Sequence, residues 1–332
     1  MAKTMFYKSS FYFLDMSLQL LSMIWHFESI LSIIFLVYWQ RNGQLEALKA
    51  KLEVCQNFRG VRRKSDKFYD GSKWFLVLYI TTILFNIFYS IKFYFEKSHS
   101  VWAMIISEMF HYKQLRFLHS IISSYMFSVW LTTIYTFVSY ANAAYFEIKH
   151  FNSEIRNLSG GREEIREELV AKIDTFRLIS EAIAELDMVF RLYTFAMLTT
   201  VIPILIFTLM MLNQHLSSLT DFLVCVPFIL FCICSFCSVT IAPARVQEEI
   251  QNLKPSLCKN RAIWQPYDKQ VYQVATALAS HCEQNGLGIS IWGFATLSRP
   301  LILATLSATA MMMSLLMELK PDRIVEEEVV LN

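Results

Sequence analysis

Glycine and proline are scarce in this 332-residue chain, at eight and seven. A chain with so few breakers makes little provision for kinks, so its helices should be long and seldom interrupted. Charge is thin as well. Charged residues make up 17% and hydrophobic ones 55%, with 15% aromatic. Soluble domains carry roughly 25% charged and about 45–50% apolar residues. That shift removes the chain from the ordinary soluble class and places it with membrane proteins. The net charge of +2 is nearly balanced and says little by itself.

The seven cysteines are an odd number without framework spacing, so a disulfide scaffold is excluded. Cys225, Cys232, Cys234 and Cys237 share one apolar run. A metal held there would need deprotonated thiolates and a polar surround, so they read as small packing residues. No secretory leader precedes the first apolar run: Lys8 and Asp15 break the opening, and no cleavage site follows. The first span should therefore act as its own signal. Neither a nucleophile–base pair, nor metal-ligand spacing, nor a phosphate loop occurs, and the His residues are scattered. The expectation is no enzyme, no cofactor, no metal and no nucleic-acid partner.

What is present is a set of membrane-length apolar runs. A span needs about 20 nearly uncharged residues. Six stretches qualify: 20–38, 74–95, 118–140, 192–212, 222–241 and 294–317. Residues 101–115 are interrupted by Glu108, His111 and Lys113 and read as an interfacial loop. The fold class expected is all-α, a polytopic helical membrane protein with six spans and long cytoplasmic helix extensions.

Lys and Arg orient the spans. Residues 41–73 hold nine, 147–190 hold six and 244–287 hold five. Segments 1–19, 96–117, 213–221 and 319–332 hold two, three, none and two. The rich segments should be cytoplasmic, which places both termini outside. Asn157-Leu158-Ser159 matches a glycosylation acceptor but falls on the cytoplasmic side, so it should be unmodified.

The cytoplasmic segments are patterned. From Glu163, apolar residues at Ile165, Leu169, Ile173, Phe176, Ile179, Ile183, Leu186 and Phe190 recur every three or four positions, as on an amphipathic helix leading into the fourth span. Gly160-Gly161 marks the break before it. Residues 145–155 continue the third span downward, and a further helix fits 268–282. The chain thus divides into an outer segment 1–19, three spans over 20–142 with a basic loop 41–73, cytoplasmic helices 143–191, two spans over 192–242, a cytoplasmic segment 243–293, a last span 294–318 and an outer tail 319–332.

The last span carries no charge between Arg299 and Glu318. At helical spacing Ala304, Ser307, Met311, Ser314 and Glu318 share one face of small or polar groups ending in a carboxylate. Helix–helix packing accounts for such a stripe. So does a pore face, with Ser307, Met311, Ser314 and Glu318 around an axis and Glu318 as an acidic ring favouring cations.

The stretch "WGFATLSRPLILATLSATAMMMSLLMELK" resembles the C-terminal signature of the insect gustatory and odorant receptor superfamily, through Gly293, Phe294, Leu297, Arg299 and the long helix after them. Weaker similarity covers "TFRLISEAIAELDMVFRLY" and "SVWLTTIYTFVSYANAAYFEI". The signature's T-Y and Q-F positions hold Met311-Met312 and Glu318-Leu319 here. The family has seven spans, and the first span here looks like the family's second, so the expectation is that the family's first is absent, either genuinely or through truncation of the sequence.

This resemblance implies a gustatory-type chemosensory receptor that is a tetrameric, ligand-gated cation channel. Its last helix would line the pore, and the extended cytoplasmic helices would form a shared anchor. It also implies a small-molecule ligand, lipid contact, related subunits as partners and permeant cations. A ligand would enter from outside, where the ionisable Glu28 and its near neighbour His26 lie within a span. Asn86, Tyr89, Tyr125 and Trp130 are further pocket candidates. The alternative for Glu28 is that it pairs with His26, Asn86 or another span simply to satisfy itself. Asp187 and Arg191, four apart, read as a structural ion pair. A divergent accessory or assembly subunit that passes no current is the main rival. A G-protein-coupled chemoreceptor is less favoured by the outward C-terminus and the rarity of proline, and a transporter by the lack of an inverted repeat.

Overall fold

The scarcity of breakers translates directly into helix length. In order, the chain forms α1 (Ala2–Arg41), α2 (Gln44–Phe58), α3 (Asp66–Phe95), α4 (Arg116–Arg156) and α5 (Arg162–His215). Then come α6 (Leu219–Gln251), the short α7 (Leu253–Lys259) and α8 (Arg261–Trp264), α9 (Lys269–Cys282), the strands β1 (Ser290–Ile291) and β2 (Ala295–Thr296), and α10 (Arg299–Glu318). The computed structural model describes the backbone of residues 2–58, 66–95, 116–215, 219–282 and 286–318, and side chains over a narrower set within them. The segment 101–115 lies outside the described residues.

Helix α5, at 54 residues, is the longest described. A rise of ~1.5 Å per residue makes it about 80 Å long, far more than a bilayer's ~30 Å core requires. The apolar period read from Glu163 onward and the fourth span are one continuous helix. The third span and residues 145–155 are likewise joined, in α4. Helix α1 also exceeds its expected span, beginning at Ala2 and taking in Lys8 and Asp15.

Four described stretches are long and apolar enough to cross a membrane: Met23–Arg41, Ile121–Arg156, Arg162–Leu209 and Ile229–Lys259. Shorter apolar stretches cover Phe75–Phe88 and Arg299–Leu315. Each of these six overlaps one expected span, and the helix of the last begins only at Arg299. Residues 294–298 are not helical. Ser290-Ile291 pairs antiparallel with Ala295-Thr296, and Trp292 and Gly293 turn the chain with φ of 49° and 80°.

The packing surfaces explain why lipid suits this molecule. Met23, Phe27, Ile30, Ile34 and Val37 line one exposed face of α1, and Leu76, Ile80, Leu84 and Phe88 another on α3. Bare apolar bands of that length would be an aggregation liability in water but are the natural exterior in hydrocarbon.

The interior is built around α5. Trp39 of α1 is buried against Phe190 and Tyr193, with ring centroids at 4.8 and 5.4 Å, and its Nε1 donates to the Val189 carbonyl at 3.2 Å. Phe137 of α4 closes the cluster at 5.2 Å from Phe190. Each edge-to-face pair adds about 0.5–1.5 kcal/mol beyond area burial.

The three basic segments gather at one end of the bundle. There α2 packs on α5, with Lys51 Nζ 2.6 Å from Glu185, and Lys172 reaches Glu154 of α4 at 2.7 Å. Asn260, in the joint between α7 and α8, is the main polar tie. Its Nδ2 donates to the carbonyls of Ile155 at 2.9 Å and Leu158 at 2.8 Å, while its Oδ1 accepts from Ala262 N at 3.0 Å. Asp268 caps α9, accepting from the backbone N–H of Val271 at 3.0 Å and Gln270 at 2.8 Å. The bond from Val271, then that from Gln270 and the nearby Arg162 and Arg166, hold this carboxyl below its usual value.

Candidate functional site

Two places in the fold bring chemistry together. The first is the interface between α1 and α5. Leu21, Trp25, Glu28, Ser32, Phe35 and Trp39 recur at helical spacing and form one face of α1. Phe35 and Trp39 of that face meet Tyr193. One turn above Ser32 lies Glu28, 1% exposed, with neither carboxyl oxygen hydrogen-bonded. Thr200 of α5 sits beside the carboxyl, but its hydroxyl donates to the carbonyls of Ala196 at 3.0 Å and Met197 at 3.2 Å. Tyr193 and Cys232 are within electrostatic reach of the same group. The Ser32 and Tyr193 hydroxyls are also buried without a partner.

Of the alternative pairings for Glu28, those with His26 and Asn86 are not formed, and Thr200 of another helix lies beside its carboxyl. Two residues along a helix is about 200° of rotation, so His26 leaves on the far side of α1. Asn86 is engaged by Ser123 of α4, whose hydroxyl donates to Asn86 Oδ1 at 3.1 Å. Trp130 is buried, with rings of Trp25 at 5.7 Å and Phe231 at 4.6 Å. Tyr125 is 59% exposed and turned away from this interior. The side chain of Tyr89 lies outside the described residues. Of the six pocket candidates, the structure therefore brings Glu28 and Trp130 to the inner face, joined through Trp25.

Sequence reading missed Ser32, Tyr193 and Thr200. Ser32 carried a signal, since it follows Glu28 by four on one face. Tyr193 and Thr200 belong to a helix more than 160 residues away and carried none.

The second place is α10. Leu301, Thr305, Thr309 and Met313 are partly covered and form its packed line, against α5 and α6. At ~100° per residue, Ser307, Met311 and Ser314 stand roughly 180–240° from Thr305. They are all exposed, Met311 at 67%. The polar stripe thus faces directly away from the chain's own bundle. Glu318 ends the helix on the same side by register; its side chain lies outside the described residues.

The base of α10 is clipped to α5. Asp187 Oδ1 accepts from Ser290 N at 2.6 Å and Ser290 Oγ at 2.7 Å, and the Ser290 hydroxyl oxygen accepts from Gly293 N at 3.0 Å. Trp292 N donates to the Arg191 carbonyl at 3.2 Å. This corrects the expected Asp187–Arg191 ion pair: the carboxylate is taken by the hairpin instead. Arg299 at the start of α10 pairs with Glu248 of α6.

The model of one protein family matches residues 4–294, nearly the whole described bundle: Caenorhabditis protein of unknown function, DUF267. The chain belongs to the DUF267 family. No curated protein matches this DUF267 member. Its fold is similar to that of the insect olfactory receptor OR5 from Machilis hrabei, with a TM-score of 0.62 at 14% identity. The match covers 91% of this chain and 81% of the receptor. At that identity the likeness is one of fold, and with the apolar helices it makes this DUF267 protein an all-α, polytopic helical membrane protein.

Proposed function

We propose that this DUF267 protein is a chemosensory receptor subunit of gustatory type, one that opens a cation pathway when a small molecule binds. In this reading four like or related copies surround an axis, and α10 of each turns Ser307, Met311, Ser314 and Glu318 towards it. The observation that carries the reading is the orientation of that stripe. A face of hydroxyls and a terminal carboxylate, pointed away from its own bundle, needs either water or another subunit to meet it. A ring of Glu318 carboxylates would draw cations to the mouth. The receptor-like fold supports the same assignment, as does the resemblance of the last third to insect chemoreceptors.

The basic end of the bundle is the cytoplasmic end in this reading, which puts both termini outside and leaves Asn157 without a glycan. A non-conducting assembly subunit is the second reading. It is favoured by Ser314, whose hydroxyl donates to the Ala310 carbonyl at 3.1 Å and so needs no water.

Light-scattering mass of the detergent-solubilised particle, corrected for detergent, tests the arrangement. Four copies are expected, followed by ligand-dependent cation currents whose selectivity drops in Glu318→Ala. A monomer would overturn the homomeric pore. A tetramer in which Glu318→Ala and Ser314→Leu change assembly but no current is ever seen would select the second reading.

A further inference from the structure

We infer that the interface between α1 and α5 holds a site for a small protonated amine, built on Glu28, Ser32 and Tyr193 and flanked by aromatic rings. The inference names the ligand class of the receptor reading above and rests on it for the ligand's role.

It starts from an energetic anomaly. A carboxyl group buried inside a span costs several kcal/mol unless something compensates it. Glu28 is 1% exposed, and neither of its oxygens accepts or donates a hydrogen bond. The groups around it do not resolve this. The Thr200 hydroxyl lies beside the carboxyl but is shared with the carbonyls of Ala196 and Met197, and the hydroxyls of Ser32 and Tyr193 are buried without a partner. Several polar groups left unsatisfied along one stretch of a close-packed interface mark a missing partner rather than a packing defect.

Glu28 and Ser32 lie between Trp25 and Phe35 on one buried face of α1, whose other members pack into the apolar core. Polar groups without partners inside such a core are a costly arrangement without a ligand to match them.

The chemistry of these groups selects the ligand. A single carboxylate calls for a single positive charge. Hard metal ions take about six or more oxygens, and Glu28, Ser32 and Tyr193 supply fewer. An ammonium group instead brings its own N–H donors, which the carboxylate and hydroxyl oxygens can accept. The walls suit the rest of such a ligand. Trp25, one turn from Glu28, stands edge-to-face with Phe127 at 5.4 Å and Trp130 at 5.7 Å, and Tyr193 packs on Phe35 at 5.6 Å. Aromatic faces beside a carboxylate are a recurrent way of holding ammonium groups.

The test is thermal unfolding of the full-length solubilised protein with methylammonium chloride, against sodium chloride at equal ionic strength. Binding to the native state raises Tm in a saturable way. A rise of several degrees with methylammonium but not sodium, abolished in Glu28→Gln, is the expected result. An equal rise with sodium would replace the amine site by an inorganic cation site and overturn the proposal. So would a methylammonium response that survives in Glu28→Gln. Should Glu28→Gln not fold, Ser32→Ala replaces it, with a rightward shift of the methylammonium curve of about tenfold, the equivalent of one lost hydrogen bond to charge. An unshifted curve in that variant would also overturn the site. Binding needs neither four subunits nor current, so loss of the amine site and loss of the channel reading are separate results.

Discussion

Replacing Asp187 by alanine should release the hairpin that seats the last helix, and by an amount the geometry sets. Asp187 accepts two short hydrogen bonds from Ser290, and Ser290 in turn holds Gly293 N–H. Hydrogen bonds to a charged acceptor contribute about 1.5–3 kcal/mol each. Asp187 is only half-buried, so water recovers part of the loss, and ~1.5–3 kcal/mol for the pair is a fair total. At ~1.4 kcal/mol per factor of ten, local opening should become roughly 10- to 150-fold more frequent. Amide hydrogen exchange reads this directly at Trp292 and Leu297, whose N–H groups donate to the carbonyls of Arg191 and Ile289. Exchange elsewhere in α5 should not change. Two controls sharpen the test: Asp187→Asn keeps one acceptor and should fall between, and Arg191→Ala should leave the exchange unaltered because only its backbone is used. Exchange at Trp292 that accelerates in Arg191→Ala but not in Asp187→Ala would refute the clip.

Other consequences follow from the same structure. Asn260→Ala strands two carbonyls and one N–H at the α4–α8 joint, and chemical denaturation of the solubilised protein should show a loss of about 2–4 kcal/mol. The cap at Asp268 has a pH signature. Its folded carboxyl sits below the ordinary 3.8, so the cap is at full strength above that value and is lost as pH falls through the depressed one. Amide exchange in the first turn of α9 at successively lower pH should follow that loss, and Asp268→Asn should not show it. Gly288 has φ of 145°, and a Cβ there would meet Gln247 Oε1 at 2.3 Å. Gly288→Ala should therefore reduce the yield of folded protein, and trimming Gln247 to alanine should not restore it, because the backbone strain remains.

Much of the architecture was legible because lipid and helix geometry leave few choices. The apolar helices follow from the length of the uncharged runs, and the Ile165-to-Phe190 period predicted that α5 extends well past its span. The start of the last span was misread for a specific reason. Phe294 to Ser298 are uncharged and run into an apolar helix, so composition favours continuation, yet Asp187, a hundred residues upstream, fixes a hairpin there. The Glu28–His26 pairing was excluded by helix rotation alone and could have been discarded from sequence. Glu28 itself stood out as an ionisable residue in a span. Its surroundings on α5 and α6 did not, because nothing local in a sequence says which distant helix face a carboxylate will meet.

Helix α5 carries both of the arrangements that matter, and this has a mechanical meaning. The Glu28 carboxyl meets it at Thr200, and the hairpin grips it at Asp187 to Arg191. Thirteen residues separate Asp187 from Thr200, about 20 Å of uninterrupted helix, with Pro203 beyond the upper end. A stiff helix between two attachment points can act as a shaft. A twist or tilt imposed at the upper point would then carry to the lower one, and movement at Glu28 and at the foot of α10 would be one displacement read at two heights.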